Sequence, residues 1–210
     1  MPELRKNKAK EKLKNGELVI AVSCHDTDMI DALGASGVVD LIWVEMEHGS
    51  ATWEHLSDIS RACDLWGMTS LVRVNNNDPW LVGRALDRGV QAVVVPHVNN
   101  KEEAERLVQG GKFTPEGMRG MASSRQGLGV ADYKRKANDE VMLVGLIEDI
   151  VAIDNLDELR KMFLDTKIYS TKNVEVNWKE PVKSKTIELL EEQIKISEEL
   201  LEAVSYTHLT

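Results

Sequence analysis

An α/β fold built on a parallel sheet is what this sequence predicts, and three observations carry the prediction. Short apolar, β-branched runs recur at 18–23, 38–47, 69–74, 91–97 and 141–148. Helical patterns separate them, at 27–35, 53–65, 79–87, 101–109 and 152–162. Glycine or proline punctuates the junctions, as at Gly37, Gly67, Pro79, Gly110 and Gly111. Strand alternating with helix at this spacing implies βαβ crossovers. Two architectures fit, an open doubly wound sheet and an eight-stranded barrel. No Gly-x-Gly-x-x-Gly follows the first run, which argues against the dinucleotide-binding version.

Taken in order, residues 1–16 read as a lead-in helix. Leu4, Ala9 and Leu13 share a face among many lysines, and Asn15-Gly16 supplies the stop. The run 18–23 reads as a buried strand, and Asp26 or Thr27 caps the helix after it. Thr52 is placed to cap the helix at 53–65, and Pro79 to open the helix at 79–87. Residues 112–126 are irregular and rich in glycine and serine, a length of loop that is usually functional or disordered. The rhythm then stops. Residues 164–185 read as an irregular linker without a buried apolar strand, and 186–204 as one amphipathic helix.

Composition narrows the function classes. A chain of 210 residues, 42% hydrophobic, has enough apolar material for one domain core, and a net charge of -9 argues against nucleic acid or an anionic membrane as partner. Cys24 and Cys63 are far apart and lack zinc-ligand spacing, which suggests a reducing, cytoplasmic setting. No run approaches the ~18 apolar residues of a membrane helix, and no signal peptide is visible.

The polar groups of interest sit at or just past strand ends, where parallel α/β folds build their sites. After the second run come Glu45, Glu47 and His48. Strand alternation would put the two carboxylates on one face and His48 on the other or beyond the strand. Arg73 lies inside the third run, His97 ends the fourth and Glu148 ends the fifth. Buried charges need partners. A structural pair between Arg73 and Glu148 is one reading, and a metal or anionic-substrate site is the other. Arg119 and Arg125, in the irregular loop, read either as contacts to an acidic substrate tail or as solvated charges. His25 and His55 read as surface residues.

Several ordered segments also carry a resemblance. Glu45-Met-Glu-His-Gly49 resembles the acidic-x-Glu-His-small signature of the HpcH/HpaI aldolase and citrate lyase family, the metal-dependent pyruvate aldolases. Leu71-Val-Arg-Val-Asn-Asn-Asn-Asp-Pro79, Leu86-Asp-Arg-Gly-Val-Gln91, Val95-Pro-His-Val98 and Phe113-Thr-Pro-Glu-Gly-Met-Arg-Gly120 resemble later motifs of that family. Ile147-Glu-Asp149 resembles its metal-ligand strand end.

The resemblance implies a (β/α)8 barrel that cleaves a 4-hydroxy-2-oxo acid to pyruvate and an aldehyde with a divalent cation. By motif, Glu148 would be a metal carboxylate for Mg²⁺ or Mn²⁺, with Co²⁺ also compatible. Arg73 would meet the 2-oxo oxygen, and His48 would be the acid/base group with Asp87 fixing its tautomer. Glu47, His97 and Arg119 would line the substrate. The full-length family implies a homo-oligomer acting on small 2-oxo acids. Two departures stand out: Leu146 replaces a common glutamine, and no Gly-Pro-x-Asp-Leu strand end follows residue 159.

The expected fold is therefore a partial (β/α)8 barrel of about five βα units over 17–163, followed by a helix foreign to the family. The change of pattern predicts a truncated or chimeric chain. Two other functions stand beside the pyruvate aldolase: a non-catalytic aldolase fragment that self-associates, and a citrate-lyase-like acyl-CoA lyase.

Overall fold

The computed structural model describes residues 3–166 and 169–170. Its elements run α1 (Lys8–Lys14), β1 (Ala21–Ser23), α2 (Thr27–Ala35), β2 (Leu41–Glu45), α3 (His55–Trp66), β3 (Thr69–Arg73) and α4 (Pro79–Asp87). They continue through β4 (Ala92–Val95), α5 (Lys101–Gly111), α6 (Tyr133–Glu140), β5 (Met142–Gly145), α7 (Leu156–Thr166) and β6 (Tyr169–Ser170). The six strands form one sheet in the order β1-β2-β3-β4-β5-β6, every neighbouring pair parallel. A doubly wound sheet reverses its order at a switch point. This order never reverses, so each crossover steps the same way, which is the winding of a (β/α)8 barrel.

Strand alternation divides the core in two. Ile42, Val44, Val72, Val93, Val95 and Leu143 face the helices, against Ile30 of α2, Leu56 and Ile59 of α3, Leu86 of α4, Leu107 of α5 and Leu159 of α7. The opposite, interior face carries Leu41, Trp43, Leu71, Ala92, Val94, Met142 and Val144. Helix α1 closes the N-terminal end of that interior, with Ala9 packed among these side chains. The lead-in helix is thus a plug, with Ala9 buried.

One asparagine fastens the plug. Asn7 is buried, donates from Nδ2 to Gln91 O at 3.1 Å, and accepts at Oδ1 from Lys10 N and Thr69 Oγ1, each at 3.0 Å. Its own N–H donates to Glu140 Oε2 at 2.9 Å. It therefore caps α1 while satisfying polar groups at the starts of β3 and β4.

Several elements differ from expectation for identifiable reasons. β1 is an edge strand of three residues, and Leu18 and Ile20 are exposed before it, so the first run is not a buried strand. Of the two capping candidates, Asp26 is the one that accepts from Met29 N, at 2.8 Å. β2 stops at Glu45: Met46 N still donates to Arg73 O at 3.1 Å, and the Glu45 carboxylate then takes the N–H groups of Glu47 and His48 and turns the chain. α5 runs through Gly110 and ends at Gly111, two residues beyond the expected end. A Cβ on Gly110 would meet the Pro79 backbone at 2.6 Å, so the glycine serves the close approach of α5 to α4. α6 escaped notice because its stretch is almost wholly polar, with only Ala137 and Asn138 buried. α7 runs on to Thr166, and Tyr169–Ser170 pairs with β5, so a short strand lies where a linker was expected. The expected helix at 186–204 lies outside the described residues.

Replacing Asn7 by alanine removes a cap and leaves Gln91 O and Thr69 Oγ1 short of partners. Urea unfolding of the Asn7→Ala chain is expected to show a loss of about 2–3 kcal/mol. A change under about 0.5 kcal/mol would show that the plug is held by packing alone.

Candidate active site at the C-terminal rim of the sheet

The strand order gathers four expected residues at one rim. Glu45 ends β2 two residues beyond Trp43, and Arg73 ends β3 two residues beyond Leu71, so both side chains belong to the interior face. They are also register partners across β2 and β3. Arg73 Nε donates to Glu45 Oε2 at 2.7 Å, and Arg73 Nη1 lies 3.0 Å from Glu47 Oε2. The second contact is an ion pair by distance only: no N–H points at Glu47 Oε2, which is buried without a hydrogen bond. Among the described residues nothing engages the remaining Nη2.

Glu45 is the hub of this group, and sequence reasoning gave it no role. Its Oε1 accepts the backbone N–H of Glu47 at 2.8 Å and of His48 at 3.1 Å, and its Oε2 also accepts Trp43 Nε1 at 3.2 Å. Burial alone would push its carboxyl up. The hydrogen bonds from Arg73, His48, Glu47 and Trp43 outweigh that, and the group is held below the ordinary carboxylate range. A carboxylate that must stay ionised fixes both the Arg73 side chain and the turn carrying Glu47 and His48.

The other half of the rim is tied by His97, just past β4. Its backbone is left-handed (φ 55°), a conformation uncommon outside glycine. Its N–H donates to Glu148 Oε1 at 3.1 Å, and its Nδ1 lies 3.0 Å from Asp149 Oδ2. Asn99 Nδ2 donates to the same Asp149 oxygen at 2.8 Å. His97 Nε2 stands 3.7 Å from Glu47 Oε1, which joins the two halves. The Asp149 contact raises the His97 pKa above its ordinary value, against a smaller opposing effect of burial. Asp149 is held low, first by Asn99 and, against burial, by His97. Asp149 and Asn99 were missed, although one directly follows Glu148 and the other lies two residues past His97.

The remaining expected residues are placed as follows. His48 follows β2 in a turn with its side chain 73% exposed, and its Nε2 lies 3.7 Å from Glu47 Oε2. Glu148 stands at the rim beside His97, so the anticipated pair between Arg73 and Glu148 does not form; Arg73 pairs with Glu45 and Glu47. His25 and His55 lie outside this group, at 6.2 Å from each other.

Asp87 and Arg119 require correction. Asp87 is the last residue of α4, and a helix returning from β3 to β4 ends beside the N-terminal ends of the strands. It is therefore at the opposite end of the sheet from His48 and does not fix that ring within one chain. Arg119 is with it, donating from Nη2 to Asp87 Oδ1 at 2.7 Å with a side chain only 1% exposed. It lines no rim pocket. Arg125 is likewise neither solvated nor near the rim, since it pairs with Asp64 and Ser60.

Glu148 is the rim carboxylate that could serve a cation. Hard divalent cations want several oxygen ligands. Among the described residues no three or more His, Cys, Asp or Glu side chains come together as a metal cage. Glu47 faces Arg73, and Asp149 is committed to His97 and Asn99. The described residues therefore do not by themselves fit a resident metal. No helix among them is long and apolar enough to cross a membrane.

Comparison with known proteins agrees with the winding of the sheet. Residues 18–164 match the model of the HpcH/HpaI aldolase/citrate lyase family. A 2-dehydro-3,6-dideoxy-6-sulfogluconate aldolase of Pseudomonas putida is 40% identical over 61% of this chain and 51% of its own length. A hydroxypyruvate/pyruvate aldolase of Roseovarius nubinhibens is 30% identical over 73% of this chain and 62% of its own. The crystal structure of an HpcH/HpaI aldolase/citrate lyase family protein from Burkholderia cenocepacia superposes with a TM-score of 0.66 at 25% identity, covering 73% of this chain and 64% of that one. The chain thus spans about half to six-tenths of the length of these curated relatives.

The His97–Asp149 pair has a pH signature. A histidine whose folded pKa is raised contributes stability that is fully present below the unfolded value and is lost as pH rises through the folded value. An NMR titration is expected to place the His97 midpoint above the ordinary value of 6.5, and the Asp149→Asn substitution to lower it. A midpoint at or below the ordinary value with Asp149 intact would remove the pair from solution.

Proposed function

We propose, starting from the fact that this chain belongs to the HpcH/HpaI aldolase/citrate lyase family, that its rim site is that of a carbon-carbon lyase. The reaction is the reversible aldol cleavage of a 4-hydroxy-2-oxo acid to pyruvate and an aldehyde. The observation that supports it best is Arg73, held at the rim by Glu45 Oε2 at 2.7 Å with Glu47 close by. The relatives point the same way, since both are named aldolases, one of them for hydroxypyruvate and pyruvate.

In the cleavage direction a base takes the 4-hydroxyl proton, the C3–C4 bond breaks, and its electron pair passes through C2 to the 2-oxo oxygen as an enolate. Protonation at C3 then gives pyruvate. Arg73 is the group for the enolate oxygen. A guanidinium fixed before the reaction stabilises the growing charge without reorganising, which lowers the barrier more than it tightens the ground state. Glu45 is a positioning residue that holds Arg73. His48, exposed and close to Glu47, is the acid/base candidate for the 4-hydroxyl proton. Glu47 and His97 line the place where the substrate's polar groups would lie.

When bound, a divalent cation (Mg²⁺, Mn²⁺ or Co²⁺) would supply Lewis-acid grip on the keto acid, with Glu148 as one ligand. Its other ligands are not grouped among the described residues. One observation favours a second reading, a non-catalytic fragment that self-associates. Among the described residues β1 is an open sheet edge, with Leu18 78% exposed beside it.

Pyruvate release from 4-hydroxy-2-oxo acids, measured with the full chain and added Mn²⁺ or Mg²⁺, tests the proposal. Arg73→Ala is expected to lower kcat/KM by about 10²–10³-fold. Arg73→Lys is not expected to rescue it, because an ammonium lacks the fork that meets two carboxylates. Glu45→Gln is expected to reduce kcat by roughly tenfold with little change in KM. Undiminished turnover in Arg73→Ala would eliminate the assigned role. A concentration-dependent oligomer without any turnover would favour the fragment.

A further inference from the structure

Two histidines without a part in the aldol cleavage stand at the same rim, on the β1 side. Ser23 pairs with Trp43 and Trp43 with Leu71, and Cys24 N still donates to Trp43 O at 3.1 Å. Two residues beyond Ser23, His25 takes the next place in the row that Glu45 and Arg73 occupy on β2 and β3. Neighbouring strands lie about 4.8 Å apart, so two strand widths, about 10 Å, separate His25 from Arg73 along that row. A substrate whose 2-oxo oxygen meets Arg73 reaches this place with the carbons beyond C4.

The groups gathered there are exposed and able to hydrogen-bond. His25 Nε2 lies 3.3 Å from Ser50 Oγ, and the His25 and His55 rings are 6.2 Å apart. His55 Nδ1 accepts Thr52 N–H at 3.0 Å, which leaves the proton of the neutral ring on Nε2. Among the described residues, His55 Nε2 and His25 Nδ1 have no hydrogen-bond partner. Ser50 is two residues past His48, so the trio borders the turn that carries the acid/base candidate.

The chemistry of this set discriminates between aldehydes. A neutral imidazole offers one donor and one acceptor, and a hydroxyl offers both. That mixture matches hydroxyl groups along a carbon chain. An apolar aldehyde would displace water from these groups and leave them unpaired, which a polar site penalises. A second carboxylate on the substrate would come up against Asp26 and Glu54, the sequence neighbours of the two histidines, and like charges brought together cost affinity.

We infer that His25, Ser50 and His55 form the subsite for the far end of the substrate and select a hydroxylated aldehyde over an apolar or an acidic one. The inference rests on the aldolase reading for the reaction and on the strand register for the place.

The first test runs the full chain with Mn²⁺ in the synthetic direction, joining pyruvate to D-glyceraldehyde, propanal or succinic semialdehyde. KM is expected to be lowest for glyceraldehyde. His25→Phe and His55→Phe are each expected to raise that KM about tenfold, with kcat and the propanal KM kept within about twofold. His55→Gln, which retains a donor and an acceptor, is expected to recover most of the loss. An equal loss with propanal would reduce the two histidines to supports of the His48 turn and overturn the inference. The second test needs no turnover: histidine-ring NMR of the full chain, titrated with D-gluconate or with hexanoate. Gluconate is expected to shift the His25 and His55 signals saturably, and hexanoate to leave them in place. No shift with gluconate would overturn the subsite. Shifts with gluconate in a chain that releases no pyruvate from any 4-hydroxy-2-oxo acid would sink the aldolase reading and leave the subsite standing.

Discussion

Everything at the rim depends on keeping one guanidinium charged on the interior face of a sheet. Taking an ion out of water costs several kcal/mol, and stripping one partner from a buried pair costs about 3–5 kcal/mol. Arg73 meets that demand with Glu45 in the neighbouring strand and Glu47 in the turn beyond it. The arrangement is self-consistent. The carboxylate that holds Arg73 also takes the N–H groups of Glu47 and His48, which ends β2 and brings the second acid round to the same cation. Charge compensation and chain direction are thus set by one side chain.

The two ends of the sheet divide the labour. At the C-terminal rim, Glu45, Glu47, Glu148 and Asp149 surround Arg73 and His97, an excess of acid that leaves carboxylate capacity at the mouth. At the N-terminal end α1 plugs the interior, and arginines outnumber their carboxylates around Asp64 and Asp87. Barrel folds commonly keep chemistry at the first end and stability at the second. The proposed site lies at the first of these ends, and the left-handed backbone at His97 is at the same rim.

Much of this was legible in the sequence, and the failures share a cause. Alternating apolar runs gave the strands, and the ordered motifs fixed the barrel winding that periodicity alone left open. Placing Arg73, Glu47, His97 and Glu148 at strand ends was enough to bring them to one rim. Motif proximity misled for Asp87 and Arg119. Both stand in motifs that suggest a site, but Asp87 ends α4 and Arg119 lies past the end of α5, and topology carries such residues to the far end. Element ends erred where side chains override propensity, as where Glu45 cuts β2 short. Polar α6 has no apolar stripe to announce it, so only tertiary contacts at Ala137 and Asn138 define it. The role of Glu45 itself needed three dimensions, because its four donors come from three places along the chain.

The central claim, that Arg73 is fixed in advance to receive a developing oxyanion, is most directly tested by a crystal structure with oxalate, a mimic of the pyruvate enolate. The account predicts one oxalate oxygen about 2.7–3.1 Å from the Arg73 guanidinium, with the Glu45 contact unchanged. Oxalate bound away from Arg73, or Arg73 swinging off Glu45 to reach it, would contradict the account.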